Sequence, residues 1–224
     1  MIKKRDMNDA VAGATTVINA LMATLGGSTG VAGTSLTWSC GQILADLQDE
    51  FTTGAFWPDL ANCFELARTA GATYAEIDLV RTTAAALTPI SPIGIAVQNY
   101  SIRMSLVELA QILAATTFVS RDDIDAALDT INAAFCSAED TAAGAFDTVS
   151  YQALISLHAA VAQDLSNREQ TLPRIIYYNF QRPLSALYLA QRIYQDASRA
   201  GEMVLENQVP NPLFMPLSIR ALSA

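Results

Sequence analysis

The chain has 224 residues, is 51% hydrophobic and 16% charged, and carries a net charge of −9. That length can bury a core as one or two domains, and the apolar content excludes a disordered chain. Phosphate neutralisation needs clustered Lys and Arg, so this balance excludes direct nucleic-acid binding.

Other classes fall away on single residues. Cys40, Cys63 and Cys136 form no C-x-x-C pair and His158 is the only histidine, so no zinc site and no cofactor are expected, and the thiols read as reduced and buried. The basic start at Lys3–Arg5 runs at once into Asp6, Asn8 and Asp9, unlike a secretory signal. The most apolar stretch, Met104 to Val119, contains Glu108 and Gln111, so no membrane span is expected.

Alanine dominates the first 170 residues and predicts helix. Val11, Ala14, Ile18, Leu21 and Leu25 recur at spacings of three and four on a first helix from about Asp6, a seam that suits its own core or a partner helix. The glycines between 26 and 33 then read as a loop. Gly26 to Gly30 fits G-x-S-x-G, but a nucleophile elbow needs a strand before Ser28, and a helix is expected there.

Ser35 or Thr37 is expected to cap a second helix through Phe51, stopped at Thr53-Gly54. Trp57 opens the next one, as a core plug or an exposed interface anchor, and Gly71 ends it. A helix over Tyr74 to Leu87 is broken by the prolines in residues 88–94, a linker signal. Ile95 to Phe118 reads as a long helix with Tyr100, Met104, Val107 and Gln111 on one face. Ser120 followed by Asp122 and Asp123 marks a helix start, read as solvated because the acids lack calcium-loop spacing. The last acidic helix carries Tyr151, Leu154, Val161 and Leu165, with His158 as a hydrogen-bonded core residue, and Ser166 to Gln170 reads as a linker.

The final quarter changes pattern. Residues 1–171 hold eight basic and nineteen acidic residues, whereas Leu172 onward holds five Arg and three acids. Ile175 to Tyr178 is a β-branched and aromatic run, followed by helical spacing at Leu184, Leu187, Leu189 and Ile193, with Pro183 in the first turn. Ser198 is expected to cap a second helix containing Met203 and Leu205. Pro210, Pro212 and Pro216 stop it, and Leu217 to Leu222 alternates as a returning strand. The expected fold class is therefore mainly α: a helical bundle over 1–170, with a subdivision near 88–94, then a small βααβ module over 171–224.

That strand–helix–helix–strand order, with Asn207 in the turn and proline before the closing strand, resembles a LysM module. The wider phrase also resembles the C-terminal segment of Mu-like phage DNA circularisation proteins: Gln191-Arg192-Ile193-Tyr194-Gln195-Asp196, then Glu206-Asn207, Asn211-Pro212 and Ile219 to Leu222. The resemblance implies a non-enzymatic virion protein of a contractile tail, in the baseplate or hub, made in the host cytoplasm. Tube, hub, spike and tape-measure proteins and further copies of itself would be its partners. Val11, Ile18, Leu21, Leu25 and Trp57 are then candidate subunit contacts. LysM modules often bind N-acetylglucosamine glycans such as peptidoglycan between their two strand–helix junctions, which implies an alternative groove over Phe180, Gln181, Arg182, Asn207, Gln208, Asn211 and Phe214. The glycine-containing first loop of such modules is here Gln181-Arg182-Pro183.

Overall fold

The first helix, α1 (Lys4–Ala23), buries Ala10, Ala14, Val17, Ile18 and Leu21, a stripe at helical spacing that includes Ala14, Ile18 and Leu21 of the expected seam, with Val11 half-buried. It belongs to a computed structural model that describes residues 3–24 and 30–223, mainly helical, with one two-stranded antiparallel sheet. The described chain divides into two units. One holds the residues up to Thr116 with Ile131–Ala162, the other Thr117–Thr130 with the residues from Gln163 on.

In the first unit α2 (Val31–Ala45) begins four residues before the expected cap. Ser35 and Thr37 lie inside it, and their hydroxyls donate to the Val31 and Gly33 carbonyls. The short α3 (Leu47–Thr53) ends at Gly54, whose φ of 82° is the left-handed conformation that glycine adopts without a Cβ penalty. α4 (Phe56–Thr69) buries Phe56, Leu60, Cys63, Phe64 and Ala67. α5 (Tyr74–Ala85) starts with a capping box, in which the Glu76 N–H donates to Thr73 Oγ1 and the Thr73 N–H donates to the Glu76 carboxylate.

α6 (Pro92–Ala115) corrects two expectations. The 88–94 stretch is not a linker through to Gly94, because Ser91 caps the helix and Pro92 sits in the first turn, where its missing N–H costs nothing. The buried side of α6 is also different: Val97, Ser101, Ser105, Leu109 and Leu113 face inward, while Gln111 is exposed. Ser101 and Ser105 donate to the Val97 and Ser101 carbonyls, so two small polar residues are satisfied in the core and α1, α4 and α5 can pack there.

α1 and α6 are tied by one carboxylate. Asp9 Oδ2 accepts from the Ile90 N–H (3.0 Å), the Ser91 N–H (2.8 Å) and Ser91 Oγ (2.7 Å), and Ser91 Oγ accepts from Gly94 N–H (3.0 Å). A Cβ on Gly94 would lie 2.5 Å from Asp9 Oδ2 and 2.9 Å from Pro89 Cβ, so only glycine leaves room for the carboxylate. The hydroxyl and amide of Ser91, with the Ile90 amide, hold the Asp9 carboxyl below its usual pKa. A depressed folded-state value stabilises above the unfolded pKa and is lost as pH falls through the folded one. Asp9→Asn is therefore expected to lower the urea midpoint at neutral pH, with the gap from wild type closing as pH drops below the ordinary carboxylate range.

α7 (Arg121–Gly144) and α8 (Thr148–Glu169) contribute residues to both units. Ser120 caps α7 as expected, with Asp123 N–H donating to its Oγ and that hydroxyl donating to the Asp123 carboxylate. α8 continues through Ser166–Glu169, so the expected linker is helix. Its Arg168 and Asp164, four apart, form an ion pair.

In the second unit β1 (Ile175–Asn179) pairs antiparallel with β2 (Ser218–Leu222), in the register Ile175↔Leu222 to Asn179↔Ser218. Between them run α9 (Ala186–Tyr194), a 3₁₀ turn (Ala197–Arg199) and α10 (Ala200–Glu206). Ser185 caps α9, leaving Pro183 outside the helix. Asp196, not Ser198, caps the turn: its Oδ1 accepts from the Ser198 N–H and hydroxyl. Ala186, Leu189, Ala190, Met203, Met215, Ile219 and Ala221 make the core. The α7 N-terminus is part of this unit. Asp122 Oδ2 accepts from the Ile175 N–H (2.7 Å), the Arg121 N–H donates to the Pro173 carbonyl (2.8 Å), and Arg121 pairs with Glu169.

Candidate interaction surface

The residues singled out in the C-terminal module divide into those holding the fold and those left on its surface. Asn207 belongs to the first group. Its Nδ2 donates to the Met203 and Arg220 carbonyls (both 2.8 Å) and its Oδ1 accepts from the Arg220 N–H (2.7 Å). One amide thus closes α10 and fastens it to β2, so its side chain is unavailable to a sugar. Gln208 follows in the left-handed region at φ 51° and is exposed. The Asn211 carboxamide accepts from the Leu213 N–H within its own turn.

The two loops implied as a glycan groove bond to each other. Ala186 N–H donates to the Pro212 carbonyl (2.7 Å), and Met215 N–H donates to the Leu184 carbonyl (2.9 Å). These backbone groups are already satisfied.

Two surface features remain. One is a groove floored by Ala186 and Gly201 and walled by Leu187, Val204, Leu205 and Leu213. Leu187, Leu205 and Leu213 are 62%, 79% and 65% exposed, and no charged side chain lines the groove. Phe214, beside it in sequence, is also exposed. The other is a polar pocket where Arg182, Tyr188 and Arg192 surround Phe180, with Asn179 and Gln181 at its edge. The Arg192 guanidinium lies 5.6 Å from the Phe180 ring centroid.

The candidates on the helical unit fall out differently. Ile18 and Leu21 are fully buried among their own helices, so they have no surface to offer a second chain. Leu25 lies outside the described residues, as does Ser28 of the G-x-S-x-G string. Trp57 is half-buried: its ring meets Phe56 and Tyr100 edge-on, both at 5.2 Å between centroids, and its carbonyl accepts from Tyr100 Oη (2.8 Å).

Several other titratable groups have structural partners. His158 sits flat on Phe135, 4.9 Å between centroids, with Glu139 and Asn132 each 2.9 Å from one ring nitrogen. Cys40 and Cys63 are buried against each other, and the hydrogen bond they share, together with burial, pushes the Cys63 thiol far up. Cys136 is exposed, contrary to expectation, because it lies one residue beyond the buried Phe135 on the outer side of α7. Among the described residues no cluster of His, Cys, Asp or Glu could hold a metal ion, and no helix is long and apolar enough to cross a membrane. The chain matches no protein-family model and no curated protein.

Proposed function

We propose that the chain is a structural component of a phage or phage-like contractile tail, in the baseplate or hub region. It acts through protein–protein interfaces, with its C-terminal βααβ unit serving as a LysM-like module and its acidic helices as a bundle. The observation that carries this reading is the uncharged groove with three largely exposed leucines, a surface that water solvates poorly and a protein partner would cover. Several copies docked around a tube or spike would bury such surfaces and hold one another in register. Leu205→Glu with Leu213→Glu is expected to remove the chain from tail particles purified from producing cells while leaving its thermal unfolding midpoint unchanged. Full incorporation of this variant would end the reading.

A second reading, peptidoglycan binding, draws on the polar pocket, since Phe180 and Tyr188 offer ring faces and Asn179 and Gln181 offer amides of the kind that hold sugars. The engaged Asn207 and the mutually bonded loops count against it. Pulldown on purified peptidoglycan separates the two: saturable binding lost in Tyr188→Ala would favour the glycan.

A further inference from the structure

The loop that leaves β1 is held at both ends, because Phe180 N–H donates to the Leu217 carbonyl (2.7 Å) and the Leu184 carbonyl accepts from Met215 N–H (2.9 Å). Arg182, between these points, lines one pocket with Tyr188 and Arg192, which are four apart and so share a face of α9. The cavity holds about 540 Å³, within the roughly 300–1,000 Å³ of small-molecule sites, and no acidic residue lines it. Among the described residues seven arginines pair with a carboxylate, yet neither Arg182 nor Arg192 does. Two guanidiniums of an acidic chain therefore share one cavity with their charge unmatched.

We infer that this pocket binds a sugar phosphate, with Arg182 and Arg192 on the phosphate monoester and Tyr188 against the sugar ring. A single carboxylate would balance only one of the two guanidiniums. A phosphate monoester carries about −1.5 to −2 at pH 7 and three strong acceptor oxygens, which suits two guanidinium forks. The rest of the wall indicates what carries the phosphate. Tyr188 is exposed and offers a ring face, while Asn179 and Gln181, also exposed, offer amides that can both donate to and accept from sugar hydroxyls. The inference goes beyond both readings above: the leucine groove uses none of these residues, and neither reading requires a phosphate monoester.

Isothermal titration calorimetry of the whole chain with glucose 6-phosphate tests it. Wild type is expected to bind saturably, and to weaken about tenfold between about pH 7.5 and about pH 5, as the monoester takes up its second proton near pH 6. Arg182→Gln and Arg192→Gln should each weaken binding about tenfold or more, the effect of losing a charge-assisted contact, with the urea midpoint of wild type. Tyr188→Ala should weaken glucose 6-phosphate but not inorganic phosphate, because only the sugar meets the ring. If one arginine variant fails to fold, the other alone must show the loss. A wild type that does not bind glucose 6-phosphate overturns the inference, as does binding that both arginine variants keep. Glucuronate or a neutral N-acetylglucosamine oligomer bound as tightly would also overturn it. Inorganic phosphate held as tightly as the sugar phosphate, with Tyr188→Ala without effect, would reduce the pocket to a bare anion site and refute the sugar. Phosphatidic acid vesicles bound through both arginines, with glucose 6-phosphate unbound, would assign the pocket to a lipid headgroup and equally end the inference.

Discussion

Asn207→Ala is expected to destabilise the C-terminal unit by about 3 kcal/mol. The substitution deletes three hydrogen bonds, stranding the Arg220 N–H and carbonyl while the Met203 carbonyl keeps the backbone N–H of residue 207, and each lost bond costs about 1 kcal/mol. Asn207→Asp should cost nearly as much, because a carboxylate keeps the acceptor for Arg220 N–H but turns an oxygen towards two carbonyls. Asn211→Ala removes one bond within an exposed turn and should cost no more than about 1 kcal/mol. Urea unfolding followed by tyrosine fluorescence measures all three. Equal losses for Asn207 and Asn211 would refute the structural role assigned to Asn207. The comparison also shows why Asn207 is a poor probe of sugar binding: its loss unfastens α10 from β2.

The second large effect lies in the helical unit. Glu108 on α6 is buried, with its side chain 8% exposed, and pairs with Arg68 Nε at 2.7 Å. Burial pushes its carboxyl above the usual range, and Arg68 offsets only part of this. Arg68→Met keeps most of the packing but strands the carboxylate, which should cost about 3 kcal/mol at pH 7, discounted for the partial exposure of Arg68. A raised folded-state pKa favours the folded protein below the unfolded value, and this contribution disappears as pH rises through the folded one. The cost of Arg68→Met should therefore shrink on acidification towards about pH 4.5, near the ordinary glutamate value. Adding Glu108→Met should recover most of the stability even at pH 7, because no buried charge remains. Chemical unfolding at the two pH values decides this, and a pH-independent loss would show that Arg68 acts through packing alone.

The helical class, the Ser120 cap, the stop at Gly54 and the two strands of the C-terminal unit were legible because each depends on neighbours within a few residues. The face of α6 was not. Its apolar residues surround the whole helix, so periodicity could not choose a side, and the inward positions include Ser101, Ser105 and Glu108. Asp9 gave no signal either, since its partners Ile90 and Ser91 are about eighty residues away and a carboxylate in a first helix normally reads as solvated. Asn207 was picked out by its place in the turn but given a surface role, because sequence shows a carboxamide and not what it bonds. Leu187 and Leu205 were read as ordinary helix positions, and Leu213 was given no role of its own. Only the fold shows that Leu187, Leu205 and Leu213 converge on one groove.

The anchoring of β1 by Arg121 and Asp122 has a practical corollary for anyone wishing to excise the C-terminal module. A fragment cut at residue 171 keeps both strands and both helices yet loses the carboxylate that receives the first strand amide and the amide that meets Pro173. Transplanting the module onto another scaffold would require carrying the Ser120–Thr130 stretch of α7 and its cap along, as a second, non-contiguous graft.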